Sequence, residues 1–230
     1  MSVDVNTVYQ RVLAITNKEQ RGYITPQEFN YLANQAQLDI FEQYFYDYNQ
    51  FNRLPGNHSE YSDMLAILDE KISLFEKTNQ TVTSGTDLPA DLYRLGSIVF
   101  NGAEAESISQ KDYIYITQSK LATPTNDFPI YIKDNAGVKV YGSDLNGDIE
   151  QKTSAVTCNY ISIPTEVSWA ANSTTGLYDA ANSIDFPLHE SEETELVIKI
   201  LALAGIILRD NSLYSIGSGE DVKNAQQEKS

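Results

Sequence analysis

The stretch GYITPQEFNYLANQAQLDIFEQYFYDYNQFNR, residues 22–53, carries its own start signal and a long apolar rhythm. Thr25 offers a hydroxyl N-cap, Pro26 stands at the first helical position, and Glu28 follows three residues after the cap; together these spell a capping box. Phe29, Ala33, Ala36, Ile40 and Tyr44 form one stripe, which Leu32, Phe41, Phe45 and Tyr48 widen. The spacing predicts a helix from 26 to about 52, roughly 40 Å long at 1.5 Å per residue, stopped by Pro55-Gly56. Such a rod is long for a single small core, so it raises the question of what its far sides touch.

On the N-terminal side, Val5, Val8, Val12 and Ile15 recur at helical spacing and predict a short amphipathic helix, with Gly22 in the turn that follows. On the C-terminal side, Met64, Leu65, Leu68, Ile72 and Phe75 predict a third helix over about 60–77. After TSGTDLP the period changes. LYRLGSIVFNG (92–102) reads as a strand closed by Asn101-Gly102. The segment around Ser109 and Asp112 reads either as a short helix opened by those residues or as a strand in which Tyr113, Tyr115 and Thr117 alternate. FPIYIKDNAGVKVYG (128–142) predicts a hairpin with Asp134-Asn135-Ala136-Gly137 at its tip. AVTCNYISIP (155–164) reads as a further strand, expected to pair with the 137–141 arm across a turn at 142–149.

Residues 165–186 are small and polar and read as loop. HESEETELVIKILALAGIILRD (189–210) then turns helical, with Ser191 as expected N-cap and acids in the first turn, opposing the helix dipole. The expected fold is α+β: a helical bundle of three N-terminal helices and one C-terminal helix, with an inserted antiparallel β-domain. Its parts run 1–80 for the N-terminal helices, 81–186 for the β-domain, 187–210 for the returning helix and 211–230 for a polar tail.

Composition narrows the function. At 230 residues, 41% hydrophobic and 21% charged, the chain is an ordinary globular protein able to bury a core. A net charge of −16 argues against a general nucleic-acid grip, which needs clustered Lys and Arg, but suits a wall past which a polyanion slides. One cysteine, Cys158, excludes an intramolecular disulfide and a Cys-based zinc site. There is no signal-peptide pattern, and LVIKILALAGIIL (196–208) is too short to span a bilayer and contains Lys199, so a soluble protein in a reducing compartment is expected. Fifteen tyrosines against one tryptophan suit interfaces that are apolar on one side and wet on the other.

Chemistry finds little to stand on. His58 and His189 lie in no metal spacing, and no GxSxG, P-loop or GxGxxG is present. Cys158 falls inside an alternating strand, as a buried thiol rather than a nucleophile. Asp144, Asn146 and Asp148 match the first half of an EF-hand loop and are the only candidate metal ligands. Yet Gly147 is fourth rather than sixth and Ala155 stands where the bidentate Glu belongs, so an Asn-Gly β-turn is the simpler reading. The acid pairs Glu104/Glu106 and Glu192/Glu193 could be offered as glycosidase acids, but nothing singles them out from solvated charge. No catalytic residue, no cofactor and no enzymatic activity are expected. The last helix says more. Leu196, Val197, Ile198, Ile200, Leu201, Leu203, Ile206, Ile207 and Leu208 cover nearly every face, so it is either the central helix of the chain's own core or partly covered by a neighbouring subunit.

The order of segments resembles a known group. VYQRVLAITNKEQRGYITPQEFNYLANQAQLDIFEQYF (8–45), LPADLYRLGSIVFNG (88–102), LATPTNDFPIYI (121–132), NYISIPTEVSW (159–169) and ETELVIKILALAGIILRD (193–210) look like head-to-tail connector proteins, the adaptor or tail-tubular gatekeeper-like rings of podovirus-type tailed bacteriophages, crAss-like phages included. The likeness spans nearly the whole chain but rests on scaffold features. It implies a virion structural protein of the neck or tail, assembled in the host bacterial cytoplasm, forming a ring, commonly of twelve copies, below the portal. Implied partners are identical subunits, the portal protein and other neck or tail rings, with genomic DNA passing through the lumen without sequence-specific binding and no membrane. On that reading Tyr31, Tyr44, Tyr46 and Tyr48, with Ile198, Leu201 and Ile206, lie between subunits, and Leu213, Tyr214 and Ile216 dock on the portal or a neighbour; otherwise these tyrosines only cap the monomer's own core. A tail-tip or fibre-like carbohydrate-binding protein, using tyrosines as sugar platforms, is the alternative.

Overall fold

The computed structural model describes residues 2–18, 24–53, 59–119, 121–172 and 175–207, together with Gly219, Val222 and Lys223. It is α+β. Three helices, α1 (Val5–Lys18), α2 (Pro26–Arg53) and α3 (Ser59–Ser73), precede strands β1 (Glu76–Thr81), β2 (Leu92–Phe100), β3 (Ala103–Glu104) and β4 (Glu106–Ser107). A short helix α4 (Gln110–Gln118) leads to β5 (Ile130–Asp134), β6 (Gly137–Ser143), β7 (Ile149–Lys152) and β8 (Val156–Ser162), and the chain returns through one 3-10 turn, Glu190–Glu192, into α5 (Glu193–Ile207). Contacts divide it into a helical unit, before Phe75 and after Ile163, and a β unit, Phe75–Ile163.

In the helical unit the capping box forms as read. The Thr25 amide donates to Glu28 Oε2 at 2.9 Å and the Glu28 amide donates back to Thr25 Oγ1 at 3.3 Å. The Thr25 backbone amide first, then the Thr25 hydroxyl donating to the same oxygen at 2.8 Å, hold the Glu28 carboxyl below its ordinary range. The predicted stripe of α2 is inside: Phe29, Ala33, Ala36, Ile40, Phe41 and Tyr44 are all buried, against α3 and α5. Val5, Val8 and Val12 of α1 are likewise buried, but Ile15 is exposed and Thr16 takes the inner position, its hydroxyl donating to Val12 O at 3.0 Å. From Val12, one helical turn lands on 15 or 16, and spacing alone does not choose between them.

Helix α5 starts differently from the expectation. Ser191 is not the cap; it sits inside the 3-10 turn, and His189 Nδ1 accepts its amide at 3.2 Å. Leu196, Val197, Ile200, Leu201 and Ala204 are buried, and α1 and α2 supply the cover. Arg11 ties α1 to the start of α5 through Glu193 at 2.9 Å. Beneath that start, Lys71 of α3 meets Glu192 at 2.6 Å, with the carboxylate almost wholly enclosed.

Residues 165–186, read as loop, belong to this helical unit and not to the β-domain as drawn at 81–186. Their backbone is held by side-chain amides of α2. Asn30 accepts the Trp169 amide at 2.8 Å and donates to the Trp169 carbonyl at 3.2 Å. Asn34 does the same to Val167, at 2.8 and 2.9 Å, and Gln37 donates to Thr165 O at 2.9 Å. Positions 30, 34 and 37 share a helix face, while 165, 167 and 169 share one side of an extended chain, so a period near 3.6 meets a period of 2. Three carboxamides thus take the place of a neighbouring strand. Isolated bridges Ser168–Ile184, Ala171–Tyr178 and Val3–Phe186 complete the segment's pairing.

The β unit has two four-stranded sheets, in the orders β1-β8-β2-β3 and β4-β5-β6-β7. The hairpin β5–β6 forms with its tip at Asp134–Gly137, as predicted. The partner of the 137–143 arm, however, is β7, not the 155–164 strand; β8 lies between β1 and β2 instead. The turn between β6 and β7 is short enough for a hairpin, and nearest-neighbour pairing wins. The expected third helix ran about four residues too far, into the first two residues of β1: α3 stops at Ser73, and the Phe75 carbonyl accepts both the amide and the hydroxyl of Ser162, at 2.9 and 3.1 Å. One pair, β4 with β5, is parallel. Both sheets feed a single core of Val82, Ile98, Phe100, Tyr131, Val138, Val140, Val156, Cys158 and Tyr160.

At the rim of that core the Tyr160 hydroxyl donates to Asp91 at 2.8 Å, and Lys77 holds the same carboxyl at 2.5 Å. Burial first, then the bond to anionic Asp91, pushes the Tyr160 phenol up to about 12. The folded pKa lies above the ordinary 10, so this contribution to β-unit stability is complete below pH 10 and is lost as pH rises from 10 to 12. In an ultraviolet titration of the folded chain, one phenol should ionise near pH 12, and Asp91→Asn should move it part-way back while burial holds the remainder.

Candidate assembly interface

Helix α2 turns one face inward and leaves another to solvent. Tyr31, Gln35, Leu38, Glu42, Tyr46 and Asn49 form that outer face, at spacings of three and four. Three of the six are large and apolar: Tyr31 is 73% exposed, Leu38 38% and Tyr46 65%. Isolated exposed apolar residues are common. A line of them along a 28-residue helix is a candidate contact surface.

The candidate interface residues therefore separate. Tyr31 and Tyr46 face outward. Tyr44 does not: it is buried in the chain's own core, with Lys71 Nζ 5.5 Å from its ring centre. Tyr48 is half-buried on the flank. Leu201 is also in the core, and Ile198 is half-buried, so the described part of α5 is covered largely by α1 and α2 rather than by a neighbour. The reason is that α5 packs between α1, of nearly its own length, and the much longer α2. The side chain of Ile206, and all of Leu213, Tyr214 and Ile216, lie outside the described residues, as does His58.

A second outward face was not foreseen. Ser109 caps α4, accepting the Asp112 amide at 3.2 Å, which decides the ambiguous 109–118 segment in favour of helix. Yet no residue of this nine-residue helix is buried. Tyr113 rests on Tyr141, ring centres 4.6 Å apart, and Ile114 and Tyr115 point away, 49% and 62% exposed. A helix this short is marginal by itself in water and ordinarily relies on burying one face. Leu121 and Phe128, in the loop that follows, are also exposed. The signal available in the sequence was Ser109 with Asp112 followed by Ile114-Tyr115, a cap preceding an apolar pair.

The remaining candidates resolve locally. Asp144 spends its carboxylate on its own turn, accepting the amides of Asn146 at 2.8 Å and Asp148 at 2.7 Å, with Gly147 at φ +87°. These bonds, the Asp148 amide foremost, hold its carboxyl below the usual range. Among the described residues no group of three or more His, Cys, Asp or Glu is placed to hold a metal ion. Cys158 is buried between β1 and β2, and burial pushes its thiol up, away from nucleophilic use. Glu192 is committed to Lys71. Glu104 and Glu106 line a shallow hollow of about 380 Å³ with Ser97, Ser107 and Tyr131. A second hollow, about 440 Å³, lies by Tyr9, Gln10, Leu177 and Tyr178 over the buried Trp169. Among the described residues no helix is long and apolar enough to cross a membrane.

Comparison with protein-family models and with curated proteins finds no match to this chain.

Proposed function

We propose that this chain is a non-enzymatic structural subunit of a tailed-phage virion, one copy of a closed ring in the head-to-tail connector below the portal. Such a ring extends the DNA channel and offers the tail a docking surface. One observation carries the reading: the longest helix of the fold presents Tyr31, Leu38 and Tyr46 in a line to solvent. Tyrosine supplies apolar area with a hydrogen-bonding tip, the combination that suits a surface buried only on assembly. Closed rings need two different patches per subunit, since head-to-tail contacts are heterologous. The acid excess of the chain fits a lumen through which DNA passes without being held. Identical subunits, the portal protein and adjoining neck or tail rings are its partners, and the virion neck its place.

The test is a map of the intact particle neck. Density for this chain repeated around the channel axis, with α2 between adjacent copies, is the expected result; a neck whose rings are all accounted for by other chains refutes the proposal.

A further inference from the structure

Among the described residues, the exposed faces of α2 and α4 are opposite in chemistry. On α2, Leu38, Glu42 and Tyr46 recur at four-residue spacing and span about 12 Å. Glu42 is exposed and has no ion-pair partner among the described residues; its neighbour Asp39 accepts the Gln35 amide at 2.8 Å. On α4, Lys111, Ile114, Tyr115 and Gln118 share a face about 10 Å long, and Lys111 likewise has no ion-pair partner among the described residues. The acid of α4 is already used, Asp112 accepting the Ser109 hydroxyl at 2.7 Å. One face is therefore aromatic and anionic, the other aromatic and cationic, and they match in length.

We infer that α4 of one copy packs on the outer face of α2 of the next, with Ile114 and Tyr115 against Leu38 and Tyr46 and Lys111 against Glu42. This rests on the ring reading above and names its contact. The pairing is heterologous, so each copy offers one donor face and one acceptor face and the contact propagates around a ring. Self-pairing of α2 sets Glu42 and Asp39 against the same acids and is disfavoured. The contact also accounts for α4 itself, a short capped helix that rests on Tyr141 through Tyr113 yet has no fully buried residue.

The experiment mixes two full-length variants, Leu38→Cys and Ile114→Cys, and oxidises them; native Cys158 is buried and does not compete. A mixed disulfide dimer should form about tenfold above the control pair Leu38→Cys with Leu145→Cys, because facing opposite charges favour one arrangement over random collision. Adding Lys111→Glu to the second variant, or Glu42→Lys to the first, should each return the yield to the control level. Combining both reversals should restore it. All these positions are exposed, so circular dichroism should show unchanged folding. A mixed yield no greater than the control, or a double reversal that fails to restore it, overturns the α4–α2 contact even if a ring of this chain is seen in the neck. A specific cross-link with no such ring leaves the contact standing and removes only its setting.

Discussion

Lys71→Met should lower the stability of the helical unit by about 3–5 kcal/mol, the cost of leaving a buried charge without its partner. Lys71 Nζ lies 2.6 Å from Glu192 Oε1, and the Glu192 side chain is 3% exposed. The Ser191 hydroxyl, which donates to the same oxygen at 3.2 Å, remains but carries no charge to balance the carboxylate. The replacement keeps the length of the stem and much of its packing on Tyr44, so the loss reports the charge and not a cavity. The double variant Lys71→Met with Glu192→Leu should recover most of the loss, since a buried ion pair is worth little more than a well-packed apolar pair. Urea unfolding followed by the fluorescence of Trp169 measures both, because the only tryptophan lies in this unit. Equal stabilities for the single variant and the parent would show that Glu192 is reached by water after all.

Asn34→Ala is the second large effect, about 2–4 kcal/mol from orphaning two backbone groups at a part-buried site. Asn34 both donates to and accepts from Val167, itself buried, and its amide also reaches the Asn30 carbonyl at 2.8 Å. Alanine is the better helix former, so intrinsic propensity acts in the opposite direction and the measured loss understates the ladder. Trp169 is two residues further along the same strand-like segment, and its emission should shift to the red as the segment loosens. Gln35→Ala, one position away on the outer face, should stay within about 0.5 kcal/mol of the parent. If both variants behave alike, the carboxamides are not what holds residues 165–169.

The two predictions also mark where a linear reading stops. The capping box at Thr25–Glu28, the inward stripe from Phe29 to Tyr44 and the Asp134–Gly137 hairpin tip are all decided within a few residues, and each formed as read. The partner of 137–143 was misassigned because a strand's alternation states which face is buried but not which strand lies beside it. Residues 165–186 read as loop because small residues, Ala, Ser, Thr, Asn and Asp, dominate them; the order of 165–169 comes from Asn30, Asn34 and Gln37, more than a hundred residues earlier.

The candidate surface divides in the same way. Tyr31, Tyr44, Tyr46 and Tyr48 looked alike as tyrosines on a helix, yet Tyr44 is core and Tyr31 and Tyr46 are surface. Helical phase separates them: Tyr44 stands in the apolar stripe with Phe29 and Ile40, while Tyr31 and Tyr46 fall on the far side of the helix. The apolar circumference of α5 suggested an external partner, and over its described part α1 and α2 provide most of the cover, with Ile198 and Leu203 half-buried.

By itself the amino-acid order determined the α+β class and the position and start of the long helix, since both depend on local propensity and short spacing. Only the tertiary structure decided which strands adjoin, where the β unit begins and ends, and which aromatic faces remain wet, because burial belongs to pairs of elements distant along the chain and no single segment encodes it.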